Sequence, residues 1–210
     1  SLNNSLLHVL GRRHSAEAAT WAYRQVREAG FTNVNLDLMY GLPYQEMEQW
    51  HDTLEAVVEM GPEHISAYCL TLEEGTPLDR WVQEGRQPDP DPDLAADMYL
   101  YTESTLKSNG YEWYEISNWA RPGFESQHNL AYWHNIPYLG VGPGAHSFLG
   151  GYRFSIEKDP SLYMVKVHHW NLNGTSLNLA LGSSALQVIP QIKEVEAIDL
   201  AMETAETIIM

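Results

Sequence analysis

His128 stands four residues before Tyr132 and five before Trp133, in the segment His-Asn-Leu-Ala-Tyr-Trp. Imidazole is a good ligand for iron, and aromatic rings bury a large flat area. A glycine-rich segment follows over residues 140–147, Gly-Val-Gly-Pro-Gly-Ala-His-Ser. This combination favours a flat, apolar, metal-bearing ligand such as a porphyrin. An isolated histidine is more often half-buried and satisfied by the backbone, and the residues alone leave that interpretation open.

The glycine-rich segment also matches the spacing Gly-x-Gly-x-x-Ala of dinucleotide-binding turns, which require a helix to begin at the glycines. Pro143 and the later pair Gly150-Gly151 do not predict a helix, so we expect a tight turn with positive φ angles. The other candidate metal ligands lack the i, i+4 spacing with a carboxylate that hydrolytic zinc sites use. They are His146, His168 and His169.

Asp37 comes late in a predicted strand, where a carboxylate at the sheet edge accepts hydrogen bonds from ligand hydroxyls. The alternative is a carboxylate that caps the turn at Gly41. Arg12 and Arg13 precede a predicted helix and offer cations for an anionic ligand group, although paired loop arginines are more often solvated. The pattern leaves these alternatives open.

The elements that must position these side chains follow from periodicity and capping residues. Ser15 and Gly30 bracket a predicted helix over 16–29, and Asp91 with Pro92 opens another that runs to about Lys107. We predict strands at 34–39, 65–71 and 111–117, a helix over 47–58, and a surface connection through 75–77 and 88–92. This β/α cadence predicts a parallel sheet, as a barrel sector or an open sheet, with ligands at the carboxyl ends of the strands.

The composition of the chain excludes several classes of partner and cofactor. The 210 residues are 44% hydrophobic, and 12 basic against 28 acidic side chains give a net charge of −16, which disfavours nucleic acid as a partner. No apolar run is long enough to span a membrane and no signal-peptide pattern occurs, so we predict a cytoplasmic protein. Cys69 is the single cysteine, so this chain alone cannot hold an iron–sulfur cluster. Both ends of the sequence suggest a piece of a longer protein.

Five segments together resemble one family. They are 11–14 (Gly-Arg-Arg-His), 35–43 (Asn-Leu-Asp-Leu-Met-Tyr-Gly-Leu-Pro), 66–78, 114–123 (Tyr-Glu-Ile-Ser-Asn-Trp-Ala-Arg-Pro-Gly) and 128–133. The family is that of the radical S-adenosylmethionine oxygen-independent coproporphyrinogen III oxidases, and the segments 114–118 and 128–133 indicate its heme-chaperone branch. The likeness runs from residue 1 to about 165 and returns at 195–210.

The resemblance implies an α/β fold: the C-terminal part of a partial (β/α) radical S-adenosylmethionine barrel, followed by a small α+β lobe. It implies that residues 1–118 are the last β/α units of the barrel and that 119–165 are an aromatic, glycine-rich lobe. We interpret 166–194 as an insertion or linker and 195–210 as the start of a truncated C-terminal helical domain. The family's 4Fe–4S cluster loop would lie upstream of Ser1, so the fragment alone is expected to be inactive.

The resemblance also implies site residues. Arg12 matches an arginine on the carboxylate of S-adenosylmethionine, Asp37 an aspartate on its ribose, and Met39 and Thr71 positions that line the adenosine. For the chaperone branch, the resemblance implies that His128 is the iron ligand of heme and that Tyr132 and Trp133 lie near the macrocycle. No residue of this chain is predicted to be catalytic.

The implied function of the intact protein is to bind a 4Fe–4S cluster, S-adenosylmethionine and heme, and to pass heme to acceptor proteins. Contact with a membrane surface, without an integral segment, is left open. The alternative is an oxygen-independent coproporphyrinogen III oxidase, an enzyme that decarboxylates propionate side chains. That enzyme needs several basic groups for its substrate's carboxylates, and the chain has 12 Lys and Arg in total.

Overall fold

The computed structural model describes residues 1–172 and 192–198, and contacts divide the chain into two compact units that meet in sequence between Glu125 and Ser126. The first unit contains a four-stranded sheet and its helices. Its elements are α1 (Asn4–Val9), α2 (Ala16–Glu28), β1 (Asn35–Tyr40), α3 (Met47–Met60), β2 (His64–Cys69), α4 (Pro77–Gln83), α5 (Pro92–Ser108), β3 (Glu112–Glu115) and β4 (Asn118–Ala120).

The helix ends follow their capping residues, as the sequence predicted for α2 and α5. The Ser15 hydroxyl accepts a hydrogen bond from the Ala18 N–H at 3.2 Å, and the Asp91 carboxylate accepts from two N–H groups of the first turn of α5. Helix α4 was not expected, because residues 75–92 were interpreted as a surface connection. Thr76 caps it and Pro77 occupies its first turn, a helix-start signature within that segment.

The sheet has the order β1-β2-β4-β3, and only its first pair of neighbouring strands is parallel. Strand β4 pairs antiparallel with both β2 and β3, so the expectation of an all-parallel sheet was wrong. Two residues, 116 and 117, join β3 to β4, and a link that short permits only an antiparallel turn. The strand that returns from this turn lies between β2 and β3.

One face of the sheet forms the core of the first unit. Leu38 and Ile65 from the strands pack with the wholly buried Trp50 of α3 and Met98 of α5. Trp119 is also wholly buried in this core, although the sequence analysis assigned it to the following lobe. It lies in β4, whose pairing with β2 places it in the first sheet. The alternating residues of β1 and β2 face the other side, where the candidate site lies.

The second unit begins with a short helix and continues into an antiparallel sheet of order β5-β6-β7. Its elements are α6 (Gln127–Trp133), β5 (His146–Leu149), β6 (Tyr152–Ile156), α7 (Pro160–Leu172) and β7 (Ile192–Ala197). Glycines 150 and 151, with φ of 61° and 79°, form the turn between β5 and β6. Within the described residues of both units, no helix is long and apolar enough to cross a membrane.

One prediction for the C-terminal part was wrong where the structure describes it. Residues 195–197, expected to begin a helix, belong to β7, while residues 166–172, the start of the segment interpreted as an insertion or linker, continue α7. Strand β7 pairs with β6, from Tyr152 opposite Ala197 to Ile156 opposite Ile192. This long-range pairing overrides the helical preference of Glu and Ala. The remainder of the predicted helix, from residue 199, lies outside the described residues.

Candidate functional site

The polar face of the first sheet is built by the register of β1 and β2. Asn35, Asp37 and Met39 alternate with core residues along β1, as the sequence predicted. The parallel register places His64 beside Asn35 and Ser66 beside Asp37. Side chains of paired positions share a face, so polar groups line the side of the sheet opposite the core.

The carboxyl ends of β1 and β2 lie at the same edge, because the two strands are parallel. Met39 is next to the last residue of β1, and the exposed Thr71 follows two residues after the end of β2. In α/β sheets this edge is where ligands bind. Met39 therefore lies near the end of the strand, as the sequence analysis expected, whereas Asp37 is the third of the six residues of β1 and lies in its middle.

Arg12 reaches this edge through the turn that ends α1. Gly11 adopts a left-handed conformation with φ of 65°, and the N–H of Arg12 donates to the carbonyl of Leu7 at 2.9 Å. The guanidinium Nη2 then lies 3.8 Å from the sulfur of Met39. The structure thus brings a cation to the strand face that carries Asp37, two residues from Met39.

Asp37 is held by a hydrogen-bond network that the sequence analysis did not foresee. The Asn35 amide donates to Asp37 Oδ1 at 2.6 Å and to Ser66 Oγ at 3.1 Å. The Oδ1 atom of Asn35 lies 2.7 Å from His64 Nδ1, and Tyr114 Oη lies 2.6 Å from His64 Nε2. These partners are 29 and 50 residues apart in sequence, so only the strand pairing brings them together.

His64 is buried, with 5% of its surface exposed. Burial lowers the pKa of its imidazole because desolvation disfavours the charged form. The carboxylates of Asp37, Glu115 and Glu125 act in the opposite direction without reversing the shift. Burial therefore favours the neutral form of His64, which is held by hydrogen bonds at both ring nitrogens.

In the second unit, His128 lies in the first turn of α6, whose N-cap is Ser126. Its exposed ring meets the ring of Tyr132 edge-on, with centroids 4.7 Å apart and planes at 75°. Tyr138, which the sequence analysis did not single out, extends the cluster with its ring centroid 4.5 Å from that of Tyr132. The structure thus groups His128 with two tyrosines.

Trp133 lies on a different side of α6 from His128. The two residues are five positions apart, which is about 140° around an α-helix, whereas the i, i+4 pair His128 and Tyr132 is separated by about 40°. The predicted group of His128, Tyr132 and Trp133 is therefore only partly brought together by the helix.

The glycine-rich segment forms a turn. Gly142 and Gly144 have φ angles of 105° and 73°, and the N–H of Ala145 donates to the carbonyl of Gly142 at 3.2 Å. Strand β5, rather than a helix, follows at His146. No helix N-terminus is present here to bind a phosphate, in agreement with the sequence analysis.

Comparison with known proteins finds several proteins that are similar to this chain. No protein-family model matches it. The chain is 42% identical over 158 residues to the heme chaperone HemW of Mycobacterium tuberculosis, a span covering 75% of this chain and 40% of that protein. It is 46% identical over 146 residues to the mitochondrial radical S-adenosyl methionine domain-containing protein 1 of Mus musculus, covering 70% and 33% of the two chains.

The structure resembles that of coproporphyrinogen III oxidase (HemN) from Escherichia coli, a radical S-adenosylmethionine enzyme. The TM-score is 0.65 at 25% sequence identity, and the match covers 80% of this chain and 41% of that one. The chain is thus similar to radical S-adenosylmethionine proteins related to coproporphyrinogen oxidase.

The sequence is more similar to proteins named HemW than to the coproporphyrinogen oxidase. Its identity with proteins named HemW reaches 42%, against 25% with the oxidase. The chain spans less than half the length of these relatives, between 33% and 41% of each. The fold agrees with the expected class, the C-terminal part of a partial radical S-adenosylmethionine barrel with a small α+β unit after it.

Proposed function

We propose that the intact protein containing this chain binds S-adenosylmethionine and heme and transfers heme to acceptor proteins. The observation that carries the proposal is the exposed imidazole of His128 against Tyr132, in a chain whose relatives include proteins named heme chaperone. Heme transfer requires a ligand that can be reached and released, and a histidine on an exposed helix turn meets that requirement.

The edge of β1 and β2 fits S-adenosylmethionine. The amino-acid part of this ligand carries a carboxylate, for which Arg12 offers a guanidinium, and its ribose carries a diol, for which Asp37 offers an acceptor. Met39 and Thr71 line the same edge and are proposed to contact the adenosine. When bound to a reduced cluster, S-adenosylmethionine supplies radical chemistry. The residues of this chain bind and orient it.

The group of His128, Tyr132 and Tyr138 fits heme. A neutral imidazole coordinates heme iron, and aromatic rings pack on a macrocycle. The two T-shaped ring contacts along this group form an aromatic surface next to the imidazole. We propose that His128 is the iron ligand and that Tyr132 packs near the porphyrin. Trp133 remains a proposed contact on the neighbouring side of α6.

The ligands of a 4Fe–4S cluster do not fit within this chain. Such clusters are held by several cysteine thiolates, and Cys69 is the only cysteine in the sequence. Burial raises the pKa of the Cys69 thiol, which disfavours the thiolate that a metal requires. We therefore place the cluster ligands outside these 210 residues.

Heme titration of the full-length protein tests this proposal. We expect His128→Ala to weaken heme binding by about tenfold or more, through loss of the iron ligand, and to shift the Soret band. His134→Ala is the matched control, since His134 is an exposed histidine at the other end of α6. Equal affinity and an unchanged Soret band in the His128 variant would reject the site.

The structural likeness to coproporphyrinogen III oxidase supports a second candidate, the oxidative decarboxylation of coproporphyrinogen III. Full-length protein with a reconstituted cluster is incubated with S-adenosylmethionine, a reductant, an electron acceptor and coproporphyrinogen III. Formation of protoporphyrinogen would favour the oxidase over the chaperone. Heme binding without this product would favour the chaperone.

A further inference from the structure

The carboxylate of Asp37 stands at the end of a chain of side chains that begins at the half-buried Tyr114 of β3 and passes through the buried His64. Tyr114 contacts His64, His64 contacts Asn35, and Asn35 contacts Asp37, with heavy-atom distances of 2.6, 2.7 and 2.6 Å. Ser66 flanks the chain and lies within 3.3 Å of both polar atoms of the Asn35 amide. Each contact is within ordinary hydrogen-bonding distance.

The chemistry of the groups sets the direction of every hydrogen bond. An ionised carboxylate only accepts, so the amide nitrogen of Asn35 must face Asp37 and its oxygen must face His64. That oxygen requires a donor, which places the proton of the neutral imidazole on Nδ1. His64 Nε2 is then an acceptor, and the hydroxyl of Tyr114 donates to it.

The hydrogen bonds at the buried His64 are protected from water, while Asn35 and Asp37 remain accessible to a ligand. His64 is 5% exposed, so water does not readily replace either of its partners, whereas Asn35 and Asp37 are exposed. A rotation of the Asn35 amide by 180° would place its oxygen against the carboxylate and its NH₂ against an Nδ1–H donor. The neutral tautomer of His64 thus holds Asn35 in a single orientation.

We propose that Tyr114, His64 and Asn35 are positioning residues that aim the Asp37 carboxylate at the diol of a bound nucleoside. Asn35 donates to Oδ1, so Oδ2 is the oxygen presented to the ligand. A carboxylate whose orientation is fixed before binding loses less entropy when the ligand arrives. This inference rests on the proposed binding of S-adenosylmethionine at Asp37 and adds the residues that tune it.

The test measures ligand dissociation constants by calorimetry on full-length protein with a reconstituted cluster. Two ligands are compared: S-adenosylmethionine, and an analogue whose ribose lacks both hydroxyls. We expect Asn35→Ala to weaken S-adenosylmethionine binding about tenfold and Tyr114→Phe about threefold, while the affinity for the dideoxy analogue stays the same in both variants. In an Asp37→Ala background, Tyr114→Phe should have no further effect.

Tyr101→Phe is the matched control, since it also removes a tyrosine hydroxyl that hydrogen-bonds a side chain, at 3.2 Å to Glu55, away from the polar face. Each variant's thermal melt verifies folding, and His64→Gln, which retains an amide donor, should recover part of the affinity lost in His64→Ala. Equal losses for the two ligands, or no loss in Asn35→Ala and Tyr114→Phe, would overturn the inference. If Asp37→Ala itself leaves S-adenosylmethionine affinity unchanged, the proposed binding site fails and the inference falls with it.

Discussion

At the scale of single residues, two adjacent arginines have different surroundings. The turn at Gly11 carries Arg12 toward β1, where its guanidinium contacts Met39, while Arg13 is an exposed neighbour without that contact. A sequence pattern treats the pair as equivalent. The position of β1 distinguishes their surroundings.

We predict that Arg12→Ala lowers the affinity of the full-length protein for S-adenosylmethionine by about tenfold to a hundredfold. Such a loss corresponds to one charge-assisted hydrogen bond of about 1.5–3 kcal/mol. Arg13→Ala should change the dissociation constant by less than about twofold. Calorimetric titration checks both variants, and equal losses in the two would contradict the assignment of Arg12.

The ion pair of Arg27 and Glu63 makes a pH-dependent contribution to the stability of the fold. The Arg27 guanidinium lies 2.8 Å from Glu63, which also accepts from the N–H of Val34 at 3.0 Å. Burial alone raises the pKa of Glu63, but the hydrogen bonds from Arg27 and Val34 outweigh it and the net pKa is lowered. The carboxylate thus stabilises the folded state above its unfolded pKa of about 4.3, and this contribution is lost as pH falls through the lower folded value.

We expect Glu63→Gln to reduce the free energy of unfolding by about 1–2 kcal/mol at pH 7, with a difference that shrinks below about pH 4. Urea unfolding of the full-length protein at several pH values measures it. Glu103→Gln, on an exposed position of α5, is the control and should stay within about 0.5 kcal/mol. A Glu63→Gln difference that persists unchanged at pH 3 would contradict the ion-pair origin.

At the scale of elements, the turn after β1 keeps the site edge against the core. Gly41 has φ of 67°, and a Cβ there would lie 3.3 Å from both the Cβ of Ala95 and the sulfur of Cys69. Gly30, after α2, also has a positive φ, 92°, but faces open space. Substitution of the two glycines therefore compares the cost of backbone strain alone, at Gly30, with the cost of strain and crowding together, at Gly41.

Gly41→Ala should therefore destabilise the protein by about 2–4 kcal/mol, and Gly30→Ala by about 1 kcal/mol, since only the former adds crowding to the strain of a positive φ. Urea unfolding measures the free energy of unfolding of both variants. Equal losses would show that the packing of Gly41 against α5 and β2 contributes nothing.

At the scale of the whole molecule, β1 is the end strand of the first sheet. Its outer edge pairs with none of the strands that the structure describes, and exposed strand edges promote association between chains. The net charge of −16 opposes this association, because like-charged chains repel each other.

We predict that the isolated 210-residue chain associates, and more strongly as salt screens its charge. Light scattering coupled to size-exclusion chromatography at about 0.05 and 0.5 M salt measures the molar mass. The full-length protein serves as the control. A monomer with a sharp cooperative melt at both salt concentrations would contradict the prediction.

Local features of the sequence were enough for much of this molecule. Periodicity and capping residues located α2, α3, α5 and β1, and the alternation along β1 placed Asn35, Asp37 and Met39 on one face. The motifs around these elements indicated the resemblance that the comparisons also found. Such features can be predicted from the sequence because each depends on residues that are close together along the chain.

The tertiary structure decided what depends on pairing between distant segments. It placed β4 between β2 and β3, made residues 192–197 a strand, brought Arg12 to Met39 and joined Asn35 to His64 and Tyr114. Strand order and register are set by packing of the whole sheet, and no local pattern encodes which histidine will face which asparagine. The sequence by itself determined the resemblance and the face of β1 that carries Asp37, while the contact of His64 with Asn35, the hydrogen-bond partner of Asp37, followed only from the register of β1 and β2.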